Sequence, residues 1–226
     1  MCKTVRRTII SCAVLLGTGD ALAGADDWPL FNARPVLGYM LFGESFLHGN
    51  LADATPVRTK KEDLVGGIAA SFSVARGDWR AELEYAWRAR TDANGYVYGE
   101  TRTLGIRNNL QNQTITGNLR RYWQPRRGVT PYLTAGYGLV RHESVAEYLD
   151  VGGQKSLDTG TRVEANTTWN AGAGIEFTTD SGWIIDLGYR YVHLGRARSP
   201  AFGAGFAFAT GELVSHDFYF AIARTR

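Results

Sequence analysis

From Trp79 to Arg90 the chain changes chemistry at every step. Trp79, Ala81, Leu83, Tyr85, Trp87 and Ala89 fall on one side, and Arg80, Glu82, Glu84, Ala86, Arg88 and Arg90 on the other. A period of two belongs to an extended strand, whose successive side chains point to opposite faces. The pattern returns at Trp169, Ala171, Ala173, Ile175 and Phe177, and at Trp183, Ile185, Leu187, Tyr189 and Tyr191. Leu64, Ile68, Phe72 and Val74 mark an earlier strand, Leu133, Ala135, Tyr137 and Leu139 a middle one, and Val214, His216, Phe218, Phe220 and Ile222 the last. Val36 to Glu44 reads as a first strand and Gln111 to Trp123 as a fourth, with Ile115 and Leu119 outward and Asn118 and Arg120 inward. No apolar stripe of period 3.6 runs for a helix's length beyond the amino-terminal segment, so the pattern predicts an all-β chain.

Alternation alone does not separate a sandwich from a barrel, because both bury one strand face. Two further patterns do. Aromatic residues lie near the ends of the apolar faces, where a transmembrane barrel places its interfacial girdles. Connections also alternate in length. Short turns, Arg76-Gly77-Asp78, Gln124 to Gly128 and Thr179 to Gly182, take turns with long polar segments at about Ser45–Asp63, Thr91–Leu110, Glu143–Ala165 and Leu194–Gly211. Together these predict a single antiparallel up-and-down transmembrane β-barrel of about eight strands, with short periplasmic turns, long extracellular loops and both termini periplasmic. Ten strands result if Tyr96 to Ile106 pairs.

The amino-terminal segment reads differently. Lys3, Arg6 and Arg7 precede an apolar run from Ile9 to Leu16 that ends in Ala21-Leu22-Ala23, the form of a secretory signal peptide. The run is shorter than the roughly 20 residues of a spanning helix. The expected division is therefore a signal over 1–23 and an outer-membrane barrel over 24–226. Both cysteines, Cys2 and Cys12, fall in the signal, so the mature chain has neither disulfide nor thiolate metal chemistry. Lys3, Arg6, Arg7 and Asp20 leave with it, which lowers the net charge from +3 to +1 and removes the case for nucleic-acid binding by bulk charge. A mean hydropathy of −0.21 is compatible with a membrane barrel, because only alternate residues face lipid.

The charges on the inward phase are the candidate site. Arg80, Arg88, Arg90, Arg120 and Arg190 face Glu82, Glu84, Glu176, Asp186 and Asp217, five positive groups against five negative. An eight-stranded barrel has an interior just wide enough for side chains to fill. Charges held there must pair, since an unpaired buried ion costs several kcal/mol. The expectation is a salt-bridged plug, with a narrow small-solute or ion pore as the alternative. Arg76-Gly77-Asp78 matches an integrin-binding tripeptide but reads as a hairpin turn needing positive φ at Gly77, on the periplasmic side. His142 and Ser144 carry a third reading, lipid A modification, yet their phase points them away from lipid. His48, His193 and His216 lack metal-ligand spacing, and Gly203-Ala204-Gly205 lacks the strand-turn-helix of a nucleotide site. No catalytic residue, metal or cofactor is expected.

Ala171-Gly172-Ala173-Gly174-Ile175-Glu176-Phe177, followed by Trp183-Ile184-Ile185-Asp186-Leu187-Gly188-Tyr189-Arg190-Tyr191, resembles the penultimate hairpin of the OmpA-like, opacity-protein-like porin superfamily. Trp79 to Tyr85, Asn118, Pro131-Tyr132 with Gly136 and Gly138, and Val214 to Ile222 are similar to further strands of that superfamily. The resemblance implies an eight-stranded outer-membrane barrel among surface antigens, adhesins and structural proteins. Its partners would be outer-membrane lipids including lipopolysaccharide, the barrel assembly machinery during insertion, and an extracellular ligand held by the loops. Family members usually end in an aromatic residue, whereas this chain ends Ala223-Arg224-Thr225-Arg226, with Phe218 and Phe220 upstream.

Overall fold

The computed structural model describes residues 30–42, 45–48, 55–59, 62–92, 94–98, 103–123, 128–149, 155–181, 183–201 and 207–224; the expected signal segment lies outside them. The strands are β1 (Leu30–Phe42), β2 (Ser45–His48), β3 (Thr55–Thr59), β4 (Glu62–Arg76), β5 (Trp79–Asp92), β6 (Gly95–Tyr98), β7 (Thr103–Tyr122), β8 (Val129–Leu149), β9 (Lys155–Thr178), β10 (Trp183–Gly195), β11 (Ala207–Ala209) and β12 (Leu213–Arg224).

Eight of them close a ring in the order β1, β4, β5, β7, β8, β9, β10, β12, every pair antiparallel. β12 returns to β1 through Val36↔Tyr219 and Tyr39↔His216. Closure leaves no open edge within the lipid layer, where an unpaired N–H or C=O would cost several kcal/mol. In β5 the lipid-facing run from Trp79 to Trp87 is nine residues, matching the roughly 9–11 that a tilted spanning strand needs. Gly77 turns the β4–β5 hairpin at φ 58°, as its place in Arg76-Gly77-Asp78 predicts. Leu37, Leu64, Ile68, Phe72, Leu83, Ile115, Leu119, Leu133, Leu187 and Phe218 face outward.

The four long polar segments are not simple loops. β8 and β9 run 21 and 24 residues, well beyond a membrane span. Tyr96 does pair, opposite Gly105, but β6 only lengthens the wall beside β7 and adds no spanning strand. Beside β6 lie β3, β2 and β11 in turn. Arg198 bridges to Ala209, its N–H donates to Glu164 Oε2 of β9 at 3.0 Å, and Asn166 Nδ2 donates to the Arg196 carbonyl at 2.5 Å. The segment around Arg198 thus joins the two sides, and the barrel wall continues as an upper storey.

The cause is a chemical inversion at constant parity. Within the lipid belt apolar residues face out and polar ones in. Above it, Arg107 faces out while Ile106 and Leu110 are buried, and on β8 Ala146 and Tyr148 are buried behind Arg141 and Glu143. That is the pattern of a soluble barrel in water, and its many polar letters read as loop in the sequence.

Candidate functional site in the barrel lumen

Strands β5, β7, β8, β9, β10 and β12 contribute polar side chains to the interior. At the turn end Arg80 Nη1 meets Glu176 Oε1 at 3.0 Å, and the Tyr122 hydroxyl donates to the same oxygen at 2.6 Å. One layer up, Arg120 lies between Glu82 at 2.9 Å and Asp186 at 3.0 Å. Tyr132 donates its hydroxyl proton to Asp186 at 2.6 Å and shares a 2.7 Å contact with the Tyr219 hydroxyl. Next, Arg190 pairs with Glu84 at 2.8 Å, its guanidinium 5.1 Å from the Tyr219 ring centroid. Highest, Arg88 meets Asp217 at 2.5 Å, and Ser215 donates to Asp217 at 2.5 Å. Asn170 donates to Asn118 at 2.8 Å across the same space.

Nine of the ten predicted lumen residues therefore face inward and come together through these pairs. The tenth is a correction. Arg90 faces outward, 56% exposed, and pairs with Glu143 at 3.2 Å. A bulge between Arg88 and Thr91 in the β5–β7 ladder adds a residue and flips the phase, so that Thr91 and not Arg90 points inward. The expected five-to-five balance becomes four arginines against five carboxylates among the described side chains.

The ionic layer has a lid that the sequence reading missed. Met40, Val65, Leu110, Val140, Val192, Leu194 and Leu213 form one buried apolar cluster at the loop end, continued upward by Ile106, Ala146, Tyr148 and Ala197. Leu110, Leu194 and Leu213 occupy inward positions just beyond the strand segments that carried the pattern; following parity past the belt would have found them. His142 lies against this cluster, its ring nitrogens bonded to Asn112 at 2.6 Å and the Leu194 carbonyl at 2.9 Å. Ser144 donates to Asn108 at 2.5 Å. Both therefore face inward as expected and are held by other partners. Among the described residues no group of three or more His, Cys, Asp or Glu is placed to hold a metal ion.

Two glycines make room for the tyrosines at the centre. A Cβ on Gly174 would strike the Tyr132 ring, and one on Gly188 the Tyr219 ring, so the large side chains lie flat against bare backbone on neighbouring strands. Outside, an aromatic row marks each edge of the belt. Towards the loops, Trp169 stacks on His193 at 5.6 Å and Tyr191 meets His216 edge-on at 5.6 Å. At the turn end lie Trp79, Trp123 and Trp183, with the Arg121 guanidinium 5.1 Å from the Trp79 centroid and 2.8 Å from Asp78.

A closed antiparallel barrel with an apolar belt between two aromatic rows and a polar interior is an integral outer-membrane β-barrel. The chain belongs to the family described as the outer membrane protein beta-barrel domain, whose model matches residues 10–220. It is 26% identical over 156 residues to the outer membrane protein PagN of Salmonella typhimurium, covering 66% of this chain and 63% of that protein. Among solved structures it is similar to Neisserial surface protein A, with 14% identity, a TM-score of 0.48 and coverage of 86% of this chain and 97% of the other. It is also similar to the outer membrane protease OmpT from Escherichia coli, with 8% identity, a TM-score of 0.44 and coverage of 88% and 95%.

Proposed function

We propose that the protein is a surface-interaction scaffold of the antigen or adhesin type, a non-conducting and non-enzymatic barrel that holds a rigid platform above the outer membrane. The observation that supports this reading is the pairing of lumen charges beneath a buried apolar cluster. An ionic layer of arginine–carboxylate pairs lies within the belt, and an apolar cluster of which Met40, Leu110, Leu194 and Leu213 are fully buried lies above it. Water and ions passing through would have to break paired buried charges and then cross a dry constriction. The loop end faces the exterior and both barrel termini face the periplasm, the arrangement usual for short turns and long extensions. Residues 1–23 direct export, and the assembly machinery inserts the chain. Any extracellular ligand binds the upper storey.

Lipid A modification loses its geometry, because His142 and Ser144 are each 1% exposed and face the interior. The narrow-pore alternative is separated by recording purified, refolded protein in planar bilayers. The expected trace is flat; steady currents that change selectivity in Arg88→Gln or Glu84→Gln would replace the scaffold with a pore. On intact cells, a membrane-impermeant label should reach a cysteine placed at 163 and not one at 180.

A further inference from the structure

Where the lipid-facing wall ends, one sector of the outer surface turns basic. On β8 the outward Leu139 is 60% exposed, and the next two residues on that face are Arg141 and Glu143. On β5, Trp87 faces lipid, and the bulge that follows brings Arg90 to the outside. Glu143 binds both arginines at once, Oε1 to Arg90 Nη2 at 3.2 Å and Oε2 to Arg141 Nη2 at 3.3 Å; Arg141 Nη1 also reaches Gln113 Oε1 at 3.4 Å. Two guanidiniums share one carboxylate, so the trio is net positive. The bonds are long and the side chains half exposed, which leaves guanidinium N–H groups directed outward.

We propose that Arg90 and Arg141, held in place by Glu143, bind the phosphate of a phosphorylated lipid headgroup in the outer leaflet. This rests on the reading that the loop end faces the exterior. Height, chemistry and local backbone support it. The arginines stand directly above the lipid-facing Leu139 and Trp87, where headgroups begin. Guanidinium forks match phosphate oxygens in charge and geometry. The bulge disrupts the β5–β7 ladder and moves one arginine from the lumen to this point, the kind of re-aiming for which bulges recur beside functional sites. Elsewhere on the rim, His193 faces the exposed Glu212 at 4.0 Å. Arg107 lies six residues beyond Gln113 on β7, roughly 20 Å along the strand, beside Glu147 at 3.9 Å and too high to reach a headgroup.

The test uses the refolded full barrel in neutral detergent, with fluorescent lipopolysaccharide as the probe and its enzymatically dephosphorylated form as the comparison. Wild type should bind the phosphorylated lipid about tenfold more tightly than the dephosphorylated one, the scale expected for losing a charge-assisted pair of bonds. Arg90→Gln with Arg141→Gln should lose the same factor, and Arg107→Gln should not. Equal binding of the two lipids by wild type overturns the proposal whether or not the double variant folds, as does full competition by millimolar inorganic phosphate. Since binding is read in detergent, its failure is distinct from a wrong orientation, which cell labelling reports separately.

Discussion

At the scale of single residues, Arg120 is the most heavily committed side chain. It is 3% exposed and touches Glu82 and Asp186 together, so removing it takes one buried cation from beside two buried carboxylates. Arg120→Met should cost on the order of 3–5 kcal/mol, read as a fall in the urea midpoint of the refolded barrel. A midpoint within error of wild type would show that the ionic layer is hydrated and carries little of the stability. Gly188 poses the opposite problem, since a methyl there meets the Tyr219 ring. Gly188→Ala should destabilise by about 1–3 kcal/mol. In a Tyr219→Ala background the same Gly188→Ala change should cost less, a coupling that a double-mutant cycle measures directly. Phase alone placed Arg120, Glu82 and Asp186 inside. Which carboxylate Arg120 would choose was not legible, because it depends on strands far apart in the chain meeting at one height.

At the scale of the strand, β5 shows both the strength and the limit of parity. Nine residues of alternation correctly set Arg80, Glu82, Glu84 and Arg88 inward, and one inserted residue then reversed the phase for Arg90 and Thr91. A bulge has no reliable letter code here, since Ala89 and Arg90 are ordinary strand residues; its position follows from how β5 meets β7. Cysteine at position 90 should therefore react with a soluble, membrane-impermeant maleimide in the refolded protein, while cysteine at position 88 or 91 should not. Reaction at 88 in preference to 90 would restore the unbroken phase. β8 shows a different limit. Its alternation never breaks, but the outward face passes from Leu133, Tyr137 and Leu139 to Arg141 and Glu143, so the same parity means lipid below and water above.

At the scale of the whole molecule, the upper storey replaces much of the expected long loops with paired backbone on a buried core. Limited proteolysis of the refolded barrel should therefore leave β8 and β9 intact through Glu143 and Val163. Leu194→Ala, which opens a cavity in the apolar lid, should cost about 2–5 kcal/mol in the urea midpoint. Rapid cleavage inside β8 or β9 would return these segments to loops. Alternation along each strand was enough to read a barrel of about eight strands, the lipid-facing side of most of them and nine of the ten interior charges, because a two-residue period against an apolar solvent is a local rule that each strand obeys alone. Eight rather than ten spanning strands, the outward turn of Arg90, the partners within the ionic layer, and the lid formed by Met40, Leu110, Leu194 and Leu213 emerged from the assembled ring. Those depend on register between strands and on where the wall leaves the lipid, and both are fixed only when the ring closes.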